Sequence, residues 1–488
     1  MSPPRSLVLI TVDCLRADHV GFMGYPRQVT PFLDSLAADS LVFESAIAGG
    51  APTYYSFPAI MASRHPLGMG RDVIGLSPDD EPTLATTLSQ IGYATAAFVA
   101  GNPYITQRYG YTAGFDVFQD FLEDANHSDT VNIEKSNGSA RNRINSLLRH
   151  ASRKLGVGSL YDEIHFRYSQ KLAERSPQSF EQLRRFPSAE VIVSHAGEWL
   201  QKQDSPFFLW LHLMDPHGPY YPPQEALDLM GYPEMTSTRA RYLNSCWNRA
   251  GMPLERYAGI CEEILALYDS GIRWMDQQVA NLTKALQTLG LWENCVFALT
   301  ADHGEEFLDH GGRMHAPPKV TEELVHVPLL LCAPSIVAKR IDSPFSLLNL
   351  APTLLDCVHA PLPSELKGQS YWRKIKDGQD WNDDLIVECI AGCSNPSREK
   401  DRQGPRLLAV REARYKLILD FRDGSAQLFD LHNDAEELNP LPYDVGKPVR
   451  RRLLERAYKH IVDAQRTQAT KPQTVLALRN LVLESLEA

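Results

Sequence analysis

Short apolar runs alternate with helix-like segments over the first part of the chain. Mostly apolar, strand-like runs occupy positions 7–12, 41–46 and 94–99. Helical spacing of apolar residues is found between these runs, over residues 31–38 and 83–91. Strands that alternate with helices are typical of a parallel sheet with helices on both faces. The pattern therefore predicts an α/β fold with a doubly wound, mostly parallel sheet.

The same alternation returns after residue 189. It predicts strands over residues 207–213, 295–301 and 326–331, and helices over 254–289 and 347–358. We therefore assign residues 1–370 to one catalytic α/β domain. Residues 124–188 interrupt it as an insertion, in which a polar loop over 124–142 precedes one or two helices.

A different pattern begins beyond about residue 375. Three short strands, at 407–411, 415–419 and 426–431, are separated by turn residues, and residues 447–486 have helical spacing. This pattern predicts a small C-terminal α+β subdomain over residues 371–488, with an antiparallel sheet and a terminal helix.

Composition narrows the class of protein. The 488 residues are 43% hydrophobic and 22% charged, as in a soluble globular enzyme, and the net charge of −11 argues against nucleic acid as a partner. No apolar run approaches the roughly 20 residues that span a bilayer, and no secretory signal is evident. The eight cysteines are scattered, which favours reduced thiols. We expect a cytoplasmic protein with no transmembrane segment and no nucleic-acid partner.

Three candidate metal ligands directly follow predicted strands. Asp13 ends the first strand, and Asp302 and His303 end the strand over 295–301. Because ligands of open α/β sheets bind at the carboxyl ends of the strands, we expect these side chains to meet. Any one of the acids alone could instead be a helix cap or a turn residue. Oxygen ligands with one imidazole suit Mn²⁺, Mg²⁺, Ca²⁺ or Zn²⁺.

Thr53 is the candidate nucleophile. It precedes a short helical stretch in which Pro58 lies near the first turn, so its hydroxyl would meet free backbone N–H groups. Coordination of the Thr53 hydroxyl to the metal would make its alkoxide accessible. The alternative is that Thr53 only caps the helix. Ser56 is the other hydroxyl within reach, and we interpret it as structural.

Two histidines are candidates for catalysis. His217 follows the strand over residues 207–213, and His315 lies in the loop after the Asp302–His303 pair. Either could bind the oxygens of the transferred group or protonate a leaving alkoxide. Each could also be an ordinary surface imidazole.

Several of these segments, taken in order, resemble the sulfatase-like branch of the alkaline phosphatase superfamily. Residues 10–19 (ITVDCLRADH) are similar to its opening metal motif, and residues 24–37 match the segment after it. Residues 214–220 and 300–306 are similar to two later blocks, and residues 410–431 resemble the C-terminal subdomain. The resemblance covers roughly residues 6–440 and implies a metal-dependent hydrolase.

The departures from this family bear on the reaction. Sulfatases carry Cys-x-Pro-Ser-Arg, whose Cys is oxidised to formylglycine, and alignment on residues 64–66 places Thr53, Ser56 and Phe57 at its Cys, Ser and Arg. A threonine cannot become the formylglycine aldehyde, because its oxidation gives a ketone. Cys14 stands where sulfatases have a second aspartate. Residues 100–103 (AGNP) replace the Lys-Trp-His-type block that grips sulfate.

A threonine nucleophile beside one metal site resembles the phosphotransferase and phosphodiesterase members. A second metal, held by Asp215 or His217 with His315, would resemble the two-zinc phosphodiesterases. Cys14 is a further candidate ligand, which would favour Zn²⁺, or else a buried thiol behind the site.

We therefore expect a metal-dependent hydrolase or transferase that acts on a phosphate ester through a covalent Thr53 intermediate. With two neutral histidines and no arginine at Phe57, the site should prefer a phosphodiester or phosphonate monoester, on a small-molecule, lipid or saccharide substrate. One alternative is a sulfuric-ester hydrolase that works without formylglycine. Another is an inactive binding protein, which Cys14 and Phe57 leave open.

Overall fold

A computed structural model describes most of the chain. The described residues are 5–66, 75–77, 79, 81–122, 177–203, 206–334, 336–390 and 406–466, with isolated positions between 163 and 175. The predicted insertion over residues 124–188 lies largely outside them, as does the end of the predicted C-terminal helix. Within the described part, no helix is both long and apolar enough to cross a membrane.

An eight-stranded sheet forms the centre of the fold. Its spatial order is β10-β2-β9-β7-β1-β6-β4-β5, and every neighbouring pair is parallel except those that β9 makes with β2 and β7. The expected doubly wound, mostly parallel sheet is thus confirmed. The strands are β1 (Ser6–Val12), β2 (Leu41–Phe43), β4 (Ala94–Val99), β5 (Val117–Gln119), β6 (Phe207–Leu213), β7 (Cys295–Ala301), β9 (Leu329–Cys332) and β10 (Lys339–Ile341).

Two of the predicted strands are each divided between two sheets. The run at 41–46 gives β2 and then β3 (Ala46–Ile47), and the run at 326–331 gives β8 (His326–Val327) and then β9. Strands β3, β8 and β11 (Phe345–Ser346) form a separate three-stranded sheet. Pro328 explains the second division, because it has no N–H to continue the ladder.

Helices cover the sheet, and the predicted helix over 254–289 is a single helix, Leu254–Thr288. The apolar residues of the sheet and of these helices form one large buried core. The described α-helices are Pro31–Ala37, Thr53–Ala62, Leu84–Gln90, Phe180–Leu183, Ala189–Leu200, Gln224–Leu229, Ser237–Trp247, Leu254–Thr288, Glu322–Val325, Leu350–Cys357, Trp372–Lys376 and Lys447–Arg466.

The C-terminal part contains the expected small antiparallel sheet, with one strand more than the sequence pattern predicts. Its order is β12 (Leu385–Ile390), β13 (Arg406–Arg411), β14 (Tyr415–Asp420) and β15 (Ser425–Asp430). Helix Lys447–Arg466 buries its apolar side chains against this sheet. The domain boundary near residue 370 stays a prediction.

Strand β12 contacts the segment that leads into helix Thr53–Ala62. The amide of Glu388 donates a hydrogen bond to the carbonyl of Gly49 at 3.0 Å, and Gly50 forms a parallel bridge with Glu388. Tyr54 and Tyr55 share an apolar cluster with residues of the C-terminal sheet. The small sheet thus supports the start of this helix.

A buried group of charges also joins the two parts. Lys416 of β14 lies 2.9 Å from Glu322 and 2.9 Å from Glu437, and Arg411 of β13 lies 3.1 Å from Glu322. Burial acts to raise the pKa of Glu322, but Arg411 and Lys416 outweigh it and hold that pKa well below its usual range. Lys416 is fully buried and is the shared cationic partner of the Glu322 and Glu437 carboxylates.

We expect Lys416→Met to destabilise the protein by about 3–5 kcal/mol, because it leaves Glu437 and part of the Glu322 charge buried without a partner. Lys284→Met, at an exposed position, is the control and should change stability by less than about 0.5 kcal/mol. Urea unfolding measures both. Because folding lowers the pKa of Glu322, the ion pairs of this carboxylate contribute their full stabilisation at pH 7. Their contribution should decline once the pH falls below about 4 and Glu322 begins to protonate. Equal stability of the two variants would contradict the assignment.

Candidate functional site

Polar side chains cluster at the carboxyl ends of four neighbouring strands. Asp13 follows β1, Asp302 and His303 follow β7, and His212 lies near the end of β6. Asn102 follows β4, the next strand in the sheet. All five are buried. The topology therefore brings residues 290 positions apart in sequence to one edge, as expected for ligand sites of open α/β sheets.

Asp13, Thr53, Asp302 and His303 meet around one point. The Nε2 atom of His303 lies 3.2 Å from the Thr53 hydroxyl oxygen, 3.6 Å from an oxygen of Asp13 and 3.6 Å from Oδ2 of Asp302. The Thr53 hydroxyl is 3.4 Å from the other oxygen of Asp13. The structure thus brings together all four residues that the sequence predicts as metal ligands.

The donor set of this group fits a divalent cation. Nδ1 of His303 lies 2.8 Å from the carbonyl oxygen of Gly304, which requires the ring proton on Nδ1 and leaves the Nε2 lone pair facing the carboxylates. Oδ2 of Asp302 is buried and has no hydrogen-bond partner among the described residues. A cation bound here would give both atoms a partner. Three oxygen donors and one imidazole are compatible with each of the four metals considered.

The electrostatics of the two aspartates agree with this fit. Burial and the neighbouring charge of Asp13 raise the pKa of Asp302. Burial also acts to raise the pKa of Asp13, but His217, His212 and His303 outweigh it and lower that pKa well below its usual range. Two buried carboxyl groups that disfavour each other's ionisation are stabilised by a shared cation.

Thr53 does not cap its helix. It is the first residue of helix Thr53–Ala62, the capping position is Pro52, and no side chain caps this end. The Thr53 hydroxyl instead points at Asp13 and His303, so the capping alternative does not describe this residue. Ser56 donates to the main-chain carbonyl of Asp302 at 2.5 Å, as a structural residue would.

Two residues that sequence reasoning did not assign also contact Asp13. Asn102 donates to Oδ2 of Asp13 at 2.9 Å, and Nε2 of His212 lies 3.4 Å from the same oxygen. Phe57 packs edge-on against the His212 ring, with centroids 5.1 Å apart. A histidine inside the fully buried strand β6 was the available signal, because a buried imidazole needs a polar partner.

A second group lies beside the first. The thiol of Cys14 is 3.1 Å from Asp13 and 3.3 Å from Nδ1 of His315, and the His217 and His315 rings are 5.0 Å apart. Nδ1 of His315 also lies 2.9 Å from Glu305, which accepts from Tyr220 with its other oxygen at 3.0 Å. Sequence reasoning quoted Glu305 within its motif and gave it no role.

One expectation about charge is wrong. The two histidines were taken as neutral, and burial does lower the pKa of His217. Burial also acts to lower the pKa of His315, but Glu305 outweighs it and raises that pKa to about 9. His315 therefore carries a positive charge at neutral pH unless a cation replaces its proton. Burial, Glu305 and Asp13 raise the pKa of the Cys14 thiol well above its usual value.

Asp215 is not part of either group. Its carboxylate accepts from the amide of Ala189 at 3.0 Å, at the first turn of helix Ala189–Leu200. Burial raises its pKa to about 6. Asp215 therefore stabilises a helix start, and of the residues proposed for a second metal the structure places His217 and His315 at the site.

A cavity of about 570 Å³ opens onto both groups, with Thr53, Asn102, His217 and His315 in its wall. A second pocket, of about 600 Å³, lies beside His460 and contains none of these residues. The site cavity is therefore the place for a substrate. Its wall also contains four aromatic side chains and one basic side chain, which are Tyr54, Tyr104, Phe186, Trp247 and Arg313.

Comparisons with known proteins agree with this architecture. The model of the sulfatase family matches residues 5–360, and the model of the N-sulphoglucosamine sulphohydrolase C-terminal region matches residues 318–464. The first matched region includes every strand of the central sheet, and the second includes every strand of the C-terminal sheet.

Individual relatives are distant. An arylsulfatase of Clostridium perfringens is 24% identical over 464 residues, which cover 89% of this chain and 90% of that protein. An ulvan-active sulfatase of Formosa agariphila is 22% identical over 91% of this chain and 77% of that protein. The crystal structure of a phosphonate monoester hydrolase of Agrobacterium radiobacter superposes with a TM-score of 0.66 at 17% identity, over 94% of this chain and 96% of that chain. At this identity the superposition shows the shared fold.

Proposed function

Because the chain belongs to the sulfatase family of hydrolases, we propose that it cleaves a singly charged ester with Thr53 as the nucleophile. The observation that carries the proposal is the Thr53 hydroxyl, 3.2 Å from His303 and 3.4 Å from Asp13, in the wall of the site cavity. The family typically uses a divalent metal. Asp13, Thr53, Asp302 and His303 would hold it here, where it would favour the alkoxide of Thr53.

The reaction would proceed in two displacements. The Thr53 oxygen attacks phosphorus, the bond from phosphorus to the leaving oxygen breaks, and the leaving group takes up a proton. Water then attacks the phospho-Thr53 ester, and the bond from phosphorus to Thr53 breaks. His217 and His315 also line the cavity and would bind the oxygens of the transferred group, His315 with a positive charge.

The first candidate substrate is a phosphodiester or a phosphonate monoester. Thr53 supports it, because a threonine cannot form the aldehyde hydrate that releases sulfate by elimination. A sulfo-threonine would have to be displaced by water, which is slow for an alkyl sulfate. The aromatic wall, with Tyr54, Tyr104 and Trp247, suits an aryl or saccharide leaving group.

The second candidate is a sulfate ester, which the names of the relatives favour more directly than they favour phosphorus. Sulfate monoesters also carry one negative charge in the reacting group. The site would then have to hydrolyse a Thr53 sulfate, or let water attack the substrate without a covalent intermediate.

A panel of aryl esters should separate these candidates. We expect the phosphodiester and phosphonate monoester to turn over faster than the phosphate monoester, and the sulfate to turn over weakly. Mass spectrometry of rapidly quenched enzyme should find a phosphate adduct on the Thr53 peptide. Sustained sulfate turnover without phosphorus chemistry would establish the second candidate instead. No turnover of any ester after metal loading would favour a binding protein.

A further inference from the structure

Cys14, His217 and His315 form a compact group. The proposed reaction uses the two histidines only to bind the oxygens of the transferred group, and it gives Cys14 no role. One ligand atom from each lies within 4.8 Å of the other two. We propose that these three residues bind a second divalent cation, of the zinc type, beside the site of Asp13, Thr53, Asp302 and His303. The proposal goes beyond the proposed function, because it does not depend on which ester is cleaved.

Each of the two imidazoles has an oxygen acceptor at Nδ1, as metal-ligating histidines usually have. Nδ1 of His217 lies 2.6 Å from the carbonyl oxygen of Gly218, and Nδ1 of His315 lies 2.9 Å from the carboxylate of Glu305. An oxygen acceptor at Nδ1 fixes the proton there and leaves Nε2 with a free lone pair. A carboxylate or carbonyl behind the ring is the usual outer partner of a zinc-bound histidine.

The backbone at Cys14 is held in an unusual conformation. Its φ of 62° lies in the left-handed region, which is strained for a residue other than glycine. The conformation is fixed by the hydroxyl of Tyr268, which donates to the carbonyl of Cys14 at 2.7 Å and accepts from the amide of Arg16 at 3.1 Å. A glycine would take this conformation with less strain. This conformation places the thiol 3.3 Å from Nδ1 of His315.

The ligand set selects a soft ion. One thiolate and two imidazoles make the Cys-His-His set that suits Zn²⁺, with a fourth position open to water or substrate. The site of Asp13, Thr53, Asp302 and His303 offers three oxygen donors and one imidazole. Hard ions should therefore prefer that site, and soft ions should prefer the site at Cys14.

A further group of possible metal ligands among the described residues does not support a metal site in the same way. Glu306, His310 and Glu323 also lie close together. However, Lys319 is paired with Glu306, and His310 lies 3.1 Å from Glu323, so the cluster is already neutralised.

Zinc stoichiometry of the full chain tests the proposal. After removal of metal with a chelator and reconstitution, we expect two zinc ions per chain in the parent, one in Cys14→Ser and one in Asp302→Asn. Cys261→Ser, which removes a half-buried thiol away from the cavity, is the control and should keep two. One zinc ion in the parent, or two in Cys14→Ser, would overturn the proposal.

X-ray absorption of the zinc in Asp302→Asn identifies the ligands directly. We expect one sulfur at about 2.3 Å and two imidazole nitrogens at about 2.0–2.1 Å. If Asp302→Asn does not fold, the parent loaded with Co²⁺ should show a sulfur-to-cobalt charge-transfer band that His217→Ala removes. A band that survives His217→Ala would place Cys14 on the first ion and reject the second site.

Glu305 should act as a positioning residue for this ion. Glu305→Gln keeps the shape of the side chain but weakens its hold on the His315 Nδ1 proton. We expect it to weaken binding of the second zinc about 10–100-fold and to leave the first site unchanged, measured by competition with a chelator. Unchanged affinity for both ions would exclude this role.

Discussion

Replacing Thr53 by alanine should reduce turnover of the best aryl ester by at least about 1,000-fold, because the attacking oxygen is lost. The Thr53 hydroxyl forms no helix cap, and its removal leaves a cavity of two atoms at the wall of the pocket. Folding should therefore survive, as circular dichroism and urea unfolding would show. The phosphate adduct on this peptide should disappear at the same time.

Thr53→Ser should retain measurable activity, because it keeps the hydroxyl and loses only the methyl group. Thr87→Ala is the matched control, since Thr87 is a buried threonine outside the cavity whose hydroxyl has no partner among the described residues. It should turn over like the parent. If Thr53→Ala is within about tenfold of the parent, a barrier change near 1.4 kcal/mol, water rather than Thr53 is the nucleophile.

The second large effect concerns metal at the first site. We expect Mn²⁺ at 100 times its dissociation constant to raise the free energy of unfolding of the parent by about 2.7 kcal/mol, and to have no such effect on Asp302→Asn. The reason is that Asp302 supplies a carboxylate whose Oδ2 has no other partner among the described residues. Urea unfolding with and without Mn²⁺ measures the difference.

The metal-free proteins should show the opposite order. Without a cation, Asp302 and Asp13 disfavour each other's ionisation, so Asp302→Asn should be as stable as the parent or more stable. Asp380→Asn, at an exposed position, is the control and should respond to Mn²⁺ as the parent does. Equal stabilisation of Asp302→Asn and the parent by Mn²⁺ would remove Asp302 from the metal site.

Periodicity was sufficient to predict the central sheet and the meeting of Asp13 with Asp302 and His303. Each acid directly follows a fully apolar run, and parallel strands present their carboxyl ends at one edge. Strand β12 and the division at Pro328 were harder to predict. β8 pairs with β3, and β12 forms a bridge to Gly50, and both of these partners are distant in sequence.

The site was predicted less completely than the fold. Asn102 and His212 contact Asp13 because β4 and β6 lie on the same side of β1, and an apolar pattern does not give that order. The charge of His315 depends on Glu305, whose side-chain direction was not predictable from its motif. The motifs therefore identified the candidate site residues, but the charge of His315 depends on a contact with Glu305 that only the three-dimensional structure shows.

The hydrogen bond from Glu388 to Gly49 makes the C-terminal sheet part of the scaffold that holds Thr53. Strand β12 fixes the backbone four residues before Thr53, and its apolar residues pack against Tyr54 and Tyr55. The subdomain is thus not a detachable module. A chimera that exchanges the C-terminal subdomain between family members must also exchange residues 46–62. The direction of the Thr53 hydroxyl is preserved only when these two segments come from the same protein. Selection on the reaction therefore acts on sequence changes in β12, more than 330 residues away along the chain.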